Sequence, residues 1–325
     1  MAVRCFYPIF TANKKQELMN TGKWLLCLCL FTLIINSAAA TDKCAGNDQR
    51  AFPMITIPDT IQEIDRRALY LAEHYWNLFD FTADSSQIIH PQTEQAFVNY
   101  LDILKMEPVK KHASDIIPKM MQGIEKYPET WHIFYDWYDM YLFDDVSPVK
   151  DEELYLDFLD YVLKSHMLPE EELIRPQYLY GLLNKNKVGT VASDFEYQME
   201  NGENLRLKDL QGEYTLLFFY DPECEHCQEN IKEINRSSLY EFISNDEIQV
   251  LAVNINGDFP DWEKQRSLLP GKWLNAIDKS LTIRDEELYY IPFLPALYLL
   301  DSKKIVIFRN CSLQELEFYF KNRDR

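Results

Sequence analysis

Leu216-Leu217-Phe218-Phe219-Tyr220-Asp221-Pro222-Glu223-Cys224-Glu225-His226-Cys227 is the stretch that decides how this 325-residue chain is read. Its first five residues form a short apolar and aromatic run, the pattern of a parallel strand buried on both faces. Beyond the cysteines, Ile231, Ile234, Leu239 and Phe242 recur at helical spacing through Gln228 to Phe242. A strand that breaks into Cys-x-x-Cys and then a helix sets the first sulfur at a helix N-terminus. Unpaired backbone N–H groups and the helix dipole there favour a thiolate, the reactive form of cysteine. The second cysteine, one turn on, can close a disulfide with whatever the first has attacked. These are the parts of a dithiol–disulfide exchange centre.

Two blander readings compete. Half of a zinc site would need two more ligands, yet only Cys311 follows and there is no histidine after His226. A structural disulfide across two residues closes a tiny loop and gains little from loop entropy. The redox reading is preferred, with no metal and no cofactor implied.

Residues 1–40 read as an export signal, with translation starting at either Met1 or Met19. Lys23 supplies positive charge, Trp24 to Ile35 is an apolar run of twelve, and Ala38-Ala39-Ala40 offers small residues for cleavage. Twelve apolar residues are too few to span a bilayer. None of Cys27, Cys29 and Cys44 follows the small-residue pattern of a bacterial lipoprotein cysteine, so a periplasmic or otherwise exported protein is expected. Stable membrane insertion after cleavage is not.

Of seven cysteines, Cys44, Cys224, Cys227 and Cys311 would survive cleavage, too few for a disulfide scaffold. Hydrophobic burial must supply the core. The remaining chain carries 29 basic and 51 acidic residues, a net charge of −22, which argues against nucleic acid and anionic lipid as partners.

Beyond a leader at 41–57, two periodicities divide the chain. Residues 58–184 read as five or six helices with short connections, prolines recurring at their starts. One is expected over Val109 to Tyr127. Another is expected to be capped by Ser147-Pro148 ahead of Leu154, Tyr155, Phe158, Leu159 and Val162. Trp131, Phe134, Tyr135, Trp137, Tyr138 and Tyr141 suit a core better than a ligand groove. His74, His90, His112, His132 and His166 are scattered singly, without metal-ligand spacing.

Residues 185–325 switch to short apolar runs. Phe195–Glu200 and Glu203–Leu207 flank Asn201-Gly202 as a hairpin. Strands are expected at 214–220, 248–255, 296–300 and 304–308. Helices are expected after the cysteines, at Pro260 to Leu268, Leu281 to Tyr290 and Leu313 to Lys321. The fold class is therefore an all-α helical region followed by an α/β domain.

Val188 to Phe195, Leu210-Gln211-Gly212 and Cys224 to Cys227 resemble the TlpA/ResA-like exported thioredoxins. Ile291-Pro292-Phe293-Leu294-Pro295-Ala296 is similar to the family's cis-proline segment, which puts that residue at Pro295. Ile64 to Ala68, Glu73 to Trp76 with Phe79-Asp80-Phe81, and Ser147-Pro148 with Glu153-Leu154-Tyr155 resemble an uncharacterised helical domain. That domain precedes thioredoxin modules in exported Bacteroidetes proteins. The resemblance implies a thioredoxin-like α/β domain and a thiol–disulfide oxidoreductase.

In that family Cys224 attacks, Cys227 resolves, and the Leu294 backbone beside Pro295 pairs with substrate chain. Phe218 stands where thioredoxin has a buried acid, and Asp258, just after the next strand, is the candidate stand-in that the resemblance implies. A protonated His226 would favour a Cys224 thiolate, whereas Asp221, Glu223, Glu225 and Glu229 would oppose it. The expected partners are client proteins with disulfides and an electron donor that the sequence does not identify. A rival reading is a binding or docking protein, its thioredoxin-like platform serving a ligand-holding helical domain. Peroxidase chemistry lacks its Thr-x-x-Cys context, since Asp221 stands three residues before Cys224.

Overall fold

Proline opens three helices in the N-terminal half of the computed structural model, which describes residues 52–257, 262 and 269–323. A proline in the first turn gives up an N–H that has no intrahelical partner there anyway. The helices are α1 (Ile64–His74), α2 (Ser85–Ile88), α3 (Pro91–Leu104), α4 (Glu107–Lys110), α5 (Ala113–Ile124), α6 (Pro128–Phe143), α7 (Glu152–Ser165) and α8 (Ile174–Leu183). The helix expected over Val109 to Tyr127 is thus two pieces. Ser147 does not cap α7: Asp151 does, its Oδ1 accepting from the N–H groups of Glu153 and Leu154. The Ser147 hydroxyl instead donates to the Tyr141 carbonyl and holds the preceding turn.

Large aromatic side chains fill the middle of these helices. Trp131, Phe134, Tyr138, Phe97, Tyr100 and Phe158 are fully buried. Trp76 meets Tyr100 and Phe134 edge-on, the arrangement that ring quadrupoles favour. This half has its own hydrophobic core, which includes one residue from far along the chain, Tyr290.

The C-terminal half is one mixed sheet with helices. Its strands are β1 (Glu196–Met199), β2 (Asn204–Arg206), β3 (Tyr214–Tyr220), β4 (Ile248–Asn254), β5 (Leu274–Ile277), β6 (Ala296–Asp301) and β7 (Val306–Arg309), in the spatial order β2-β1-β5-β4-β3-β6-β7. β3 runs parallel to β4 and antiparallel to β6, in the interior of the sheet. Leu216, Phe218 and Tyr220 face one core, while Leu217 and Phe219 face the other, as the two-residue period of a strand requires.

The remaining helices are α9 (Glu225–Arg236), α10 (Leu239–Ser244), α11 (Thr282–Asp285) and α12 (Leu313–Asn322). The helix expected to run unbroken to Phe242 stops at Ser237, whose hydroxyl accepts from Leu239 N–H and starts α10. β5 was not expected from the sequence. Leu-Asn-Ala-Ile is four residues long with a polar second position, too little for a periodicity. Its Asn275 is buried because Tyr220 and Trp262 both donate to its Oδ1. Only Thr282 to Asp285 of the expected Leu281–Tyr290 helix forms. Asp278 caps it by accepting from the N–H groups of Thr282 and Ile283. Glu286 to Tyr290 then leave the helix to lie against the helical half.

The described residues form one compact unit. Arg309 joins its two halves: one nitrogen lies 2.8 Å from Glu152 and another donates to the Leu183 carbonyl at 2.6 Å. Among the described residues no helix is long and apolar enough to cross a membrane. The expected signal at 1–40, Cys44, Asp258 and, apart from Trp262, the expected helix at Pro260–Leu268 lie outside the described residues.

Candidate active site

β3 carries the chain to one end of the sheet, and Asp221-Pro222-Glu223 turn it into α9. Asp221 shapes that turn twice. Its carbonyl accepts from Cys224 N–H at 3.1 Å, and its Oδ1 accepts from Glu223 N–H at 2.8 Å. Cys224 is then the N-cap of α9, with its sulfur accepting from Cys227 N–H at 3.2 Å. A sulfur in that position takes over a donor the helix cannot satisfy itself, and negative charge on it is stabilised by the helix N-terminus. Cys224 is half-buried; Cys227 is fully buried, packed with Ile231 and Ile234 against the sheet. Neither is in a disulfide.

Burial pushes the Cys227 thiol well above its ordinary value, and the hydrogen bond with Cys224 adds to that. The buried sulfur therefore holds its proton while the outer one is presented to solvent. That asymmetry is what ordered exchange needs, because the attacking and resolving thiols must not compete.

The opposite wall comes from the approach to β6. The Leu294–Pro295 peptide is cis, and Cys224 Sγ lies 3.7 Å from the Leu294 carbonyl oxygen. Pro295 is buried, Leu294 is half-buried, and Phe293 is 52% exposed beside them. A backbone carbonyl next to a reactive sulfur can pair with an extended peptide, as a strand edge does.

The other expected site residues are placed less centrally. His226 is exposed, with Nδ1 3.5 Å from Glu229 Oε2, and among the described residues it hydrogen-bonds to neither sulfur. Glu225 is exposed in the first turn of α9. Phe218 is fully buried in β3. The carboxylate near Cys227 is Asp221, which the sequence presents only as a charge acting on Cys224. Asp221, Tyr220, Gln228 and Cys227 line a cavity of about 10 Å³, room for one water at most. The Asp221 carboxylate also accepts from the Asn256 amide. An Asp two residues ahead of the N–H it binds is a readable turn signal, and it would have located this side chain.

Known proteins resemble this chain in parts of its sequence and in its fold. Residues 31–186 match a family described as Domain of unknown function (DUF5106), and residues 188–309 match the AhpC/TSA family. A thioredoxin-like protein from Bacteroides caccae has 33% identity to this chain, with a TM-score of 0.76, over 83% of this chain and 98% of its own. The C-terminal domain of an uncharacterized protein from Bacteroides fragilis has 33% identity over 42% of this chain and 99% of its own, with a TM-score of 0.41. The thioredoxin domain of a thiol-disulfide oxidoreductase from Bacteroides vulgatus has 19% identity over 43% of this chain and 99% of its own, with a TM-score of 0.38. No curated protein matches.

Proposed function

The chain belongs to the thioredoxin-like proteins in which an AhpC/TSA-family domain follows a DUF5106 domain, and on that premise we propose that it exchanges thiols for disulfides in client proteins. Cys224, as thiolate, attacks one sulfur of a client disulfide; a mixed disulfide forms and the other client sulfur leaves as a thiolate. Cys227 gives up its proton and attacks Cys224. The second client sulfur leaves, and Cys224–Cys227 remains as a disulfide. The client is reduced by two electrons, and an electron donor of thiol or equivalent chemistry must restore the pair. Run backwards, the same steps oxidise or reshuffle client thiols.

The observation that supports this reading is the pairing of a half-buried N-cap sulfur with a fully buried partner one turn on. A docking platform would need neither. Acid residues around Cys224 and the exposed, glutamate-paired His226 favour a reductase or isomerase over a strong oxidant. The export signal read at 1–40 points to an exported, periplasmic site of action. Reduction of insulin by the full chain in the presence of dithiothreitol tests the activity. Cys224→Ser is expected to abolish it, and a wild-type protein that leaves insulin untouched overturns the proposal.

A further inference from the structure

The stretch from Glu286 to Leu294 connects the helical core to the site. At its start, Lys185 Nζ donates to the carbonyls of Glu286 (3.1 Å) and Glu287 (2.6 Å), and Asn186 Nδ2 donates to the Leu288 carbonyl at 2.7 Å. Tyr178 on α8 donates to the Glu287 carboxylate. In its middle, the Tyr290 ring is buried in the core of α1–α8, the only residue beyond Leu183 among the described, buried members of that cluster. The Tyr290 carbonyl is held from the other side, by Tyr298 Oη at 2.6 Å and Asn310 Nδ2 at 3.1 Å. Four residues later the Leu294 carbonyl faces Cys224 Sγ. One residue is thus gripped by both halves of the molecule, next to the backbone that borders the reactive sulfur. Exchange chemistry at the sulfurs does not require this.

We propose that Tyr290 is a positioning residue, its ring seated in the helical core so that the Leu294 carbonyl is held where a client's extended backbone can pair beside Cys224. The helical half then acts on client binding through this one stretch. The inference rests on reading Cys224–Cys227 as a protein-disulfide exchange centre. It is specific to peptide and protein substrates, because a disulfide without peptide groups has no backbone to pair.

The test compares two disulfides with the full chain: insulin, and hydroxyethyl disulfide, which has no peptide group. Tyr290→Ala is expected to raise KM for insulin about tenfold, with kcat and the rate with hydroxyethyl disulfide changed by no more than about twofold. Tyr290→Phe fills the same space and should keep the wild-type KM. Lys185→Ala leaves the ring in place and removes two of the outer hydrogen bonds, so it should raise KM in the same direction by a smaller factor. If Tyr290→Ala does not fold, Lys185→Ala alone decides. A wild-type KM in both Tyr290→Ala and Lys185→Ala overturns the positioning role, as does equal slowing with both disulfides. A wild-type chain inert toward both disulfides overturns the reading of the site instead.

Discussion

The Leu294 carbonyl oxygen lies 3.7 Å from Cys224 Sγ, although the two residues are 70 positions apart. The sulfur comes from the N-cap of α9 and the carbonyl from the approach to β6, strands β3 and β6 being paired neighbours in the sheet. Access to Cys224 is therefore set by both, while Cys227 lies beneath.

Alkylation reads that difference directly. In the reduced protein, iodoacetamide should modify Cys224 at least about tenfold faster than Cys227, since the thiolate reacts and burial holds Cys227 protonated. Peptide mapping over a time course measures both rates. Equal rates would reverse the assignment of attacking and resolving sulfurs.

Asp221 shares a small cavity with Cys227, and its negative charge raises the energy of a second anion there. Asp221→Asn should shift the Cys227 titration to lower pH, followed by thiolate absorbance in a Cys224→Ser background. A titration that stays in place, or moves up, rules out this electrostatic coupling.

Asp157 on α7 carries a pH-dependent cost. Burial raises its carboxyl from 3.8 to about 6, with Lys187 opposing the shift. Because the folded value is the higher one, the folded state loses stability as pH climbs from about 4 to about 6, where the unfolded chain has already released that proton. Asp157→Asn should therefore add stability at neutral pH, at most about 3 kcal/mol, and add none near pH 4. Denaturant unfolding at the two pH values decides it; an equal effect at both removes the titration as the cause.

Arg309 holds the two halves together from a mostly buried position. Arg309→Ala strands Glu152 without its partner and frees the Leu183 carbonyl, so it should cost about 3 kcal/mol. A loss below about 1 kcal/mol in denaturant unfolding would mean that the pair behaves as a surface ion pair.

Cys311 stands apart from the exchange chemistry. It is buried, its thiol donates to the Leu297 carbonyl, and burial pushes it up to about 12. It should resist iodoacetamide until the protein is denatured. Mass spectrometry of a non-reduced digest should show no Cys44–Cys311 peptide; finding one would make Cys311 part of a disulfide.

The features legible in the sequence were local ones. A five-residue apolar run followed by Cys-x-x-Cys and a helical repeat predicts β3, the turn and α9, because strand period, helix period and N-capping depend on neighbours a few positions apart. The prolines of α3, α4 and α6 mark helix starts for the same reason. The family's segment around Pro295 could be located by its resemblance.

Tertiary structure decided what depends on distant partners. β5 is stable because Asn275 finds Tyr220, Trp262 and Glu200 to bond with, which no four-residue pattern can announce. The Leu281–Tyr290 stretch would make an acceptable helix, yet Tyr290 is drawn into the aromatic core of α1–α8, and burial of a ring outweighs a turn of helix propensity. The difference between Cys224 and Cys227 has the same origin. Their motif is symmetrical in sequence, and only the sheet packed beneath α9 buries one sulfur and leaves the other within reach.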